Sequence, residues 1–152
     1  SKGEEVALFY FRDGYIPINY DTVPGSWELR ETIEKSQAIK CPDVYTQITN
    51  FKYIQYLINR PETWNHFGFS REVFESNRAT FCDMKTIGDF SNSKEQLTEY
   101  IISNGGYDAF VMKPQKEGGA NNYFGNDIKE AIEKFSVDYL SSHIFMKRIY
   151  PT

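Results

Sequence analysis

The sequence predicts a mixed α/β fold. Short apolar and aromatic runs alternate along the chain with longer segments whose apolar residues recur at helical spacing, in the order β-α-β-α-(α)-β-α-β-α-β. Hydrophobic residues make up 40 % of the 152 residues and aromatic residues 16 %, which is enough apolar material for a buried core. The length allows one domain, so we expect one core or a piece of a longer protein.

The first part of the chain is predicted to contain two strands and two helices. A short apolar run (VALFYFR) has too few residues for a capped helix and enough aromatic residues for a buried strand. Ser26 favours the start of a helix, which the Cys41-Pro42 pair ends, and Arg60-Pro61 ends the next helix. The predicted elements are a strand at 6–12, a helix at 26–38, a strand at 43–48 and a mostly buried helix at 51–59.

The second part of the chain continues the alternation. Ser93 with Gln96 is typical of a capping box, and Asn104-Gly105-Gly106 ends the helix that follows. The predicted elements are one or two short helices within 62–77, a strand at 79–84, a helix at 93–103, a strand at 108–113, a polar loop at 114–125, a helix at 126–135 and a strand at 143–149.

Charge and composition exclude several classes of protein. Seventeen Lys and Arg residues against 21 Asp and Glu residues give a net charge of −4, which disfavours nucleic-acid binding. No apolar run approaches the roughly 18 residues that a membrane span needs. Cys41 and Cys82 do not form a disulfide framework and are interpreted as packing residues, so we expect a reducing, cytoplasmic location. His66 and His143 lack the spacing of a zinc site.

The loop at 113–122 (KPQKEGGANN) is the most informative stretch. It lies between the end of a predicted strand and the start of a predicted helix, where α/β proteins bind ligands. Lys113 offers a charge for phosphate, Glu117 offers an oxygen ligand for Mg²⁺, and Gly118 and Gly119 allow close backbone approach. These are the parts of a nucleotide site. The alternative is a solvated connection whose Gly and Asn residues only make turns, and composition alone does not decide between the two.

A second candidate site follows the first predicted strand. Arg12 can bind a carboxylate through two parallel N–H bonds, and the hydroxyl of Tyr15 can orient that carboxylate. The alternative is a hairpin turn at Asp13-Gly14, although Pro17 weakens the return strand. No pattern of a serine or cysteine nucleophile is present, so no catalytic residue of that kind is predicted.

Three motifs in order resemble those of eukaryotic glutathione synthetase, a family of ATP-grasp ligases. Residues 110–122 (FVMKPQKEGGANN) resemble the family's F-V-x-K-P-Q-R-E-G-G-G-N-N signature. Residues 10–15 (YFRDGY) resemble its Y-F-R-D-G-Y segment, and residues 38–47 (AIKCPDVYTQ) resemble its A-x-K-C-P-D-x-x-T-Q segment. The resemblance implies the end of a Rossmann-like substrate-binding domain over 1–50, joined to part of an ATP-grasp domain over 51–152.

The resemblance also implies roles for particular residues. Arg12 and Tyr15 would bind the substrate γ-glutamylcysteine, and Glu117 would bind Mg²⁺. The adenine would lie beside the last strand at Met146. The residues that would bind ATP are Lys52, Lys113, Gln115, Glu117, Gly118, Gly119, Asn121, Asn122 and Met146. The chain departs from the family pattern at Ala120, Phe124 and Lys147.

The reaction that the resemblance implies joins γ-glutamylcysteine to glycine with ATP as a substrate, through an acyl phosphate and without a covalent protein nucleophile. It implies a homodimer, and this chain would be an internal fragment that needs the remainder of the full-length enzyme. The chain alone is therefore expected to be inactive as a ligase. The alternative is a non-catalytic module that binds a nucleotide or a partner and retains the ATP-grasp loop.

Overall fold

The computed structural model describes residues 3–115 and 121–150, and the chain divides into two compact units, Ser1–Phe51 and Lys52–Thr152. Both units mix helices with strands, so the predicted α/β class is confirmed. The first unit contains β1 (Leu8–Tyr10), α1 (Ile18–Asp21), α2 (Ser26–Lys35), β2 (Ile39–Cys41) and α3 (Val44–Thr49).

The two strands of the first unit pair in parallel, with Leu8 opposite Ile39 and Tyr10 opposite Cys41. The predicted hairpin turn after β1 is therefore wrong, because β1 pairs with a strand beyond α1 and α2. The expectation of a buried first strand is also wrong, since Leu8 is 51 % exposed and Tyr10 is 68 % exposed. Cys41 is exposed as well, which overturns its interpretation as a packing residue.

The predicted strand at 43–48 is wrong, because these residues form the helix α3. Val44, Tyr45, Thr46 and Ile48 favour a strand by their β-branched and aromatic side chains. The carboxylate of Asp43, however, accepts a hydrogen bond from the backbone N–H of Thr46 at 2.7 Å, as a helix N-cap does. A capping residue in front of the segment thus decides its structure against intrinsic propensity.

Helix α2 begins at Ser26 as predicted, but it differs from the predicted helix in its N-cap, in its C-terminal end and in the face it buries. It follows Gly25, which has a φ of 79°, and it stops at Lys35 rather than Ala38. Trp27 is 50 % exposed, whereas Arg30 is buried. Among the described residues of the first unit, 3–51, Arg30 alone is buried, so a polar group forms the interior there.

The second unit contains α4 (Lys52–Ile58), α5 (Pro61–His66), α6 (Arg71–Asn77), β3 (Met84–Lys85), α7 (Lys94–Ser103), β4 (Phe110–Pro114), β5 (Tyr123–Phe124), α8 (Asn126–Lys134), α9 (Val137–Ser141) and β6 (His143–Lys147). Helices α4 to α8 and strands β4 and β6 confirm the predicted order. The predicted strand at 79–84 is wrong for most of its length, since a 3₁₀ turn covers Arg78–Thr80. Strand β5 and helix α9 were not predicted.

Among the described residues of the second unit, strands β3 to β6 form one antiparallel sheet in the order β3-β6-β4-β5. Phe110 and Met112 of β4 and Phe145 of β6 face helices α7 and α8 and form the core with them. Because side chains alternate along a strand, Val111 and Lys113 lie on the opposite face. The helices of the core contribute Leu97, Ile101, Ile128, Ala131 and Ile132. The sheet therefore separates an apolar core from a face that carries a lysine.

Asp89 connects helix α4 to the turn before α7. Its carboxylate accepts hydrogen bonds from the hydroxyl of Tyr56 at 2.8 Å and from the guanidinium of Arg60 at 2.8 Å. It also accepts the backbone N–H of Thr86 at 2.7 Å, while Thr86 Oγ1 lies 3.1 Å away. Four donors thus converge on one carboxylate, which holds α4 against the turn that precedes α7.

Replacing Ser93 with alanine should destabilise the chain by about 1 kcal/mol, because α7 loses its N-cap. Ser93 Oγ accepts the backbone N–H of Gln96 at 3.2 Å. The free energy of unfolding in urea measures the loss, and Ser93→Asn is the matched control because asparagine caps equally well. An alanine variant as stable as the parent chain would contradict a capping role.

No helix in the described ranges 3–115 and 121–150 is long and apolar enough to cross a membrane.

Candidate functional site

Lys113 lies at the centre of the first candidate site. It occupies β4 opposite Ile144 of β6, on the sheet face away from the core. Its Nζ lies 3.7 Å from Sδ of Met146 in β6. The sheet register therefore brings together two residues that the sequence predicts for ATP binding, although they are 33 residues apart.

Lys52 is the first residue of α4, and the bond from the backbone N–H of Tyr53 to Gln115 holds this helix start beside the end of β4. Partial burial lowers the pKa of Lys113, the positive charge of Lys52 lowers this pKa further, and Cys82 opposes the shift. Burial disfavours the charged form of Lys113 because it removes the ammonium group from water. The repulsion from Lys52 adds to this effect, since two like charges repel each other more strongly when they are partly removed from water. A phosphate group placed at both lysines would relieve this repulsion. The pair is thus suited chemically to a polyanion.

Gln115 explains how α4 is held beside β4. Its side-chain Oε1 accepts the backbone N–H of Tyr53 at 3.0 Å, across 62 residues of sequence. This bond satisfies one of the N–H groups that a helix start leaves without a partner. Gln115 therefore contributes to the geometry of Lys52 and Lys113, in addition to any contact with a ligand.

The end of β6 is fixed by the segment just before β3. The backbone N–H of Lys147 donates to the carbonyl of Asp83 at 2.9 Å, and the thiol of Cys82 donates to the carbonyl of Lys147 at 2.8 Å. Burial raises the pKa of the Cys82 thiol, which keeps it protonated as a donor. The side chain of Lys147 is exposed, so its backbone is ordered while its ammonium group faces solvent.

The residues that the sequence predicts for ATP binding in the glycine-rich loop are described only in part. Glu117, Gly118 and Gly119 lie outside the described residues. Asn121 and Asn122 line a groove of about 660 Å³ together with Gln115, and this groove does not include Lys52, Lys113 or Met146. The structure thus brings together Lys52, Lys113, Gln115 and Met146, and it places the two asparagines beside a different opening.

A Mg²⁺ site is not formed by the described part of the chain. Residues 3–115 and 121–150 contain no cluster of three His, Cys, Asp or Glu side chains that could hold a metal ion. Glu117, the carboxylate predicted to bind Mg²⁺, lies outside those ranges. The described residues alone therefore do not provide a set of ligands for Mg²⁺.

The second candidate site lies in the first unit. Arg12 is exposed, and the hydroxyl of Tyr15 donates to the carbonyl of Phe11 at 3.0 Å, so Tyr15 closes the turn that carries Arg12. Sequence reasoning missed Arg30, whose guanidinium lies 4.0 Å above the ring of Phe11. Arg30 lies three residues after Trp27, and a cation at helical spacing on an otherwise apolar stripe is the signal that could have found it.

Comparison with known proteins decides the family. Residues 19–152 match the family described as "Eukaryotic glutathione synthase, ATP binding domain". The chain belongs to the eukaryotic glutathione synthase family. It is 36 % identical to the glutathione synthetase of Xenopus laevis and 33 % identical to that of Homo sapiens, over 98 % of this chain and 31 % of each relative. It is also 33 % identical to the chloroplastic glutathione synthetase of Arabidopsis thaliana, over 98 % of this chain and 27 % of that relative.

A solved structure agrees on the fold. The glutathione synthetase-like effector of Globodera pallida in its apo form superposes with a TM-score of 0.57 at 16 % sequence identity, covering 82 % of this chain and 24 % of that protein. Compared with the three glutathione synthetases named above, this family member spans about three tenths of their length. The family match itself extends across both units of the chain.

Two departures from the glutathione synthase pattern have defined surroundings. Phe124 lies in β5, and the guanidinium of Arg148 lies 5.6 Å from the centre of its ring, so this departure takes part in an aromatic–cation contact. Lys147 follows Met146, and its backbone is bonded on both sides as described above. Ala120 lies outside the described residues.

Proposed function

We propose that this chain is the nucleotide-binding part of a glutathione synthetase, and that its second unit binds ATP at Lys52, Lys113 and Met146. The observation that carries the proposal is the 3.7 Å contact between Nζ of Lys113 and Sδ of Met146. The bond from the backbone N–H of Tyr53 to Gln115 supports it, because it holds the start of α4, where Lys52 lies, beside the end of β4. The lysines would bind phosphate oxygens, and the thioether of Met146 would contact the base. The family match favours this function over a non-catalytic interaction module.

In the full-length enzyme, we propose, the carboxylate of γ-glutamylcysteine attacks the γ-phosphate of ATP and releases ADP. The amine of glycine then attacks the acyl phosphate and displaces inorganic phosphate, which forms the peptide bond. The chain's lysines would neutralise charge on the phosphate oxygens while the reacting oxygen is positioned. Mg²⁺, held in part by Glu117, would supply further charge neutralisation when bound.

We assign residues 1–50 to the end of a Rossmann-like substrate-binding domain and residues 51–152 to part of an ATP-grasp domain. The parallel β1–β2 pair supports the first assignment, and the antiparallel sheet that carries Lys113 supports the second. Arg12 and Tyr15 would bind γ-glutamylcysteine. A homodimer and a cytoplasmic location stay predictions that follow from the family resemblance and from the cysteines.

Mg-ATP should raise the melting temperature of the 152-residue chain. A ligand that binds only the native state stabilises it by RT ln(1 + [L]/Kd), so the shift should continue to grow with ATP concentration. Differential scanning fluorimetry measures it, with adenosine as the control for the base and inorganic triphosphate as the control for the phosphates. Triphosphate should give most of the shift if the lysines bind phosphate. The absence of any shift with ATP would overturn the proposed site.

The 152-residue chain alone should form no glutathione from γ-glutamylcysteine, glycine and Mg-ATP. The chain covers 31 % of the length of its Xenopus relative, and Glu117 is the one Mg²⁺ ligand that the motifs supply. Chromatographic detection of glutathione after a long incubation checks this expectation, with a full-length glutathione synthetase as the positive control. Glutathione formation above the level without enzyme would show that this chain suffices.

A further inference from the structure

Arg30 is unusual because this charged residue is the one buried residue in the described part of the first unit, residues 3–51. Its side chain makes a bond with each of its guanidinium nitrogens: Nε donates to Glu34 at 2.9 Å, Nη1 to the hydroxyl of Tyr20 at 2.8 Å, and Nη2 to Oε1 of Gln47 at 3.0 Å. The guanidinium also lies flat over Phe11 at 4.0 Å. Only 8 % of Arg30 is exposed, and a buried cation needs such partners to offset its desolvation.

Two of the partners lead to one atom. The hydroxyl of Tyr20 donates to the carbonyl oxygen of Gly14 at 3.0 Å, and Nε2 of Gln47 donates to the same oxygen at 2.9 Å. Because Arg30 donates to the hydroxyl oxygen of Tyr20, that group's own hydrogen is directed elsewhere. Because Arg30 donates to Oε1 of Gln47, the amide nitrogen is turned toward Gly14. Arg30 thus sets the orientation of both donors.

Gly14 is the residue on which the turn depends. It has a φ of 94°, and a Cβ at this position would lie 2.4 Å from the hydroxyl oxygen of Tyr20. Its backbone N–H donates to Oδ1 of Asp13 at 2.8 Å, so both polar groups of its backbone are held. Arg12, two residues earlier, extends into solvent from a turn that is fixed at its far end.

We propose that Arg30 is a positioning residue for the turn at residues 12–15: through Tyr20 and Gln47 it fixes the carbonyl of Gly14 and so presents the guanidinium of Arg12 to a carboxylate of γ-glutamylcysteine. The choice of ligand rests on the proposed function, whereas the fixing of the turn rests on the contacts within the first unit. Arg30 itself has no role in contacting the ligand.

The matched variants separate this role from a general contribution to stability. Gln47→Glu keeps the size of the side chain and the acceptor for Arg30, but it removes the donor to the Gly14 carbonyl. Tyr20→Phe removes the other donor. Glu34→Gln changes a partner of Arg30 that does not touch the turn, so it is the control.

The test uses ¹⁵N relaxation and titration with γ-glutamylcysteine, both on the whole 152-residue chain. In Gln47→Glu and Tyr20→Phe, the order parameters of residues 13–15 should fall from about 0.85 toward 0.6, while those of α2 stay unchanged. The affinity for γ-glutamylcysteine should fall about tenfold, as expected when a binding group loses its position. Glu34→Gln should change neither quantity.

Two results would overturn the proposal in different parts. Unchanged order parameters in both variants, with only the melting temperature lowered, would show that the bonds of Tyr20 and Gln47 to Gly14 contribute to stability alone, and that Arg30 does not order the turn through them. A parent chain that does not bind γ-glutamylcysteine, in which the variants still loosen the turn, would refute the ligand assigned to Arg12 while leaving Arg30 as the residue that orders the turn. Neither result bears on the ATP site of the second unit, which the ATP titration tests separately.

Discussion

Replacing Lys113 with alanine should abolish the stabilisation that Mg-ATP gives the chain. At an ATP concentration of 100 times Kd, the parent chain gains about 2.7 kcal/mol, and the variant should gain close to none. Lys113 is half-buried beside Met146. Its attraction for a phosphate group is therefore screened less by water than that of a lysine on an open surface, and its loss should weaken binding more. Thermal unfolding with and without Mg-ATP measures the difference.

Two further variants make this result specific. Lys113→Arg keeps the positive charge and should retain part of the shift, whereas Lys129→Ala removes an exposed lysine of α8 and should leave the shift unchanged. Without ATP, Lys113→Met should be at least as stable as the parent, because it removes the repulsion from Lys52 that contributes to the lowered pKa of Lys113. A full ATP shift in Lys113→Ala would place the nucleotide elsewhere.

Replacing Asp89 with alanine should destabilise the second unit by about 3 kcal/mol, because charged hydrogen bonds contribute about 1.5–3 kcal/mol and several are lost together. The hydroxyl of Tyr56, the guanidinium of Arg60 and the backbone N–H of Thr86 all lose their acceptor. Urea unfolding measures the loss. Asp83→Ala is the comparison, because Asp83 accepts the hydroxyl of Tyr100 but lies 3.7 Å and 3.5 Å from its two cationic partners, Arg78 and Lys85. It should cost less than Asp89→Ala, because fewer close donors lose their acceptor.

The same carboxylate gives the stability a defined pH dependence. Burial by itself would raise the pKa of Asp89, but the hydrogen bonds from Thr86, Tyr56 and Arg60 outweigh it and hold this pKa below its ordinary value. A lowered pKa in the folded state means that the unfolded chain binds the proton more tightly. The contribution of ionised Asp89 to the free energy of unfolding is therefore complete above about pH 4 and is lost as the pH falls further. Asp89→Asn should therefore show a flatter fall in unfolding free energy below pH 4 than the parent chain.

The sequence predicted the second unit better than the first, and the reason is physical. Strand β4 and helix α7 have strong local signals, since β4 is a short apolar run and α7 has Ser93 as its cap. The side on which Lys113 lies was not predicted, and it follows from the alternation of side chains along β4 in the folded sheet. In the first unit, the interior is a hydrogen-bond network around Arg30. The sequence alone does not distinguish a buried arginine from an exposed one. Only the folded partners Tyr20 and Gln47 distinguish the two.

The site residues divide in the same way. The family resemblance assigned Lys113 and Met146 to one site, and the pairing of their strands, which the sequence did not predict, brings the two side chains together. The role of Gln115 in holding the start of α4 depends on a bond across 62 residues, and no local pattern contains it. The prediction of a strand at 43–48 was wrong because the N-cap bond at Asp43 overrides the propensity of these residues for a strand.

The turn at Gly68, between α5 and α6, bears on how the residues of the proposed ATP site are distributed along the polypeptide. Lys52 lies before this exposed glycine, and Lys113 and Met146 lie after it, while the rings of Trp64 and Phe74 contact each other across it at 5.6 Å. A protease cut at Gly68 would leave the lysines on separate peptides that share an aromatic interface. A nucleotide that binds both lysines would then act as a tether, and it would favour reassembly of the two peptides over their separation.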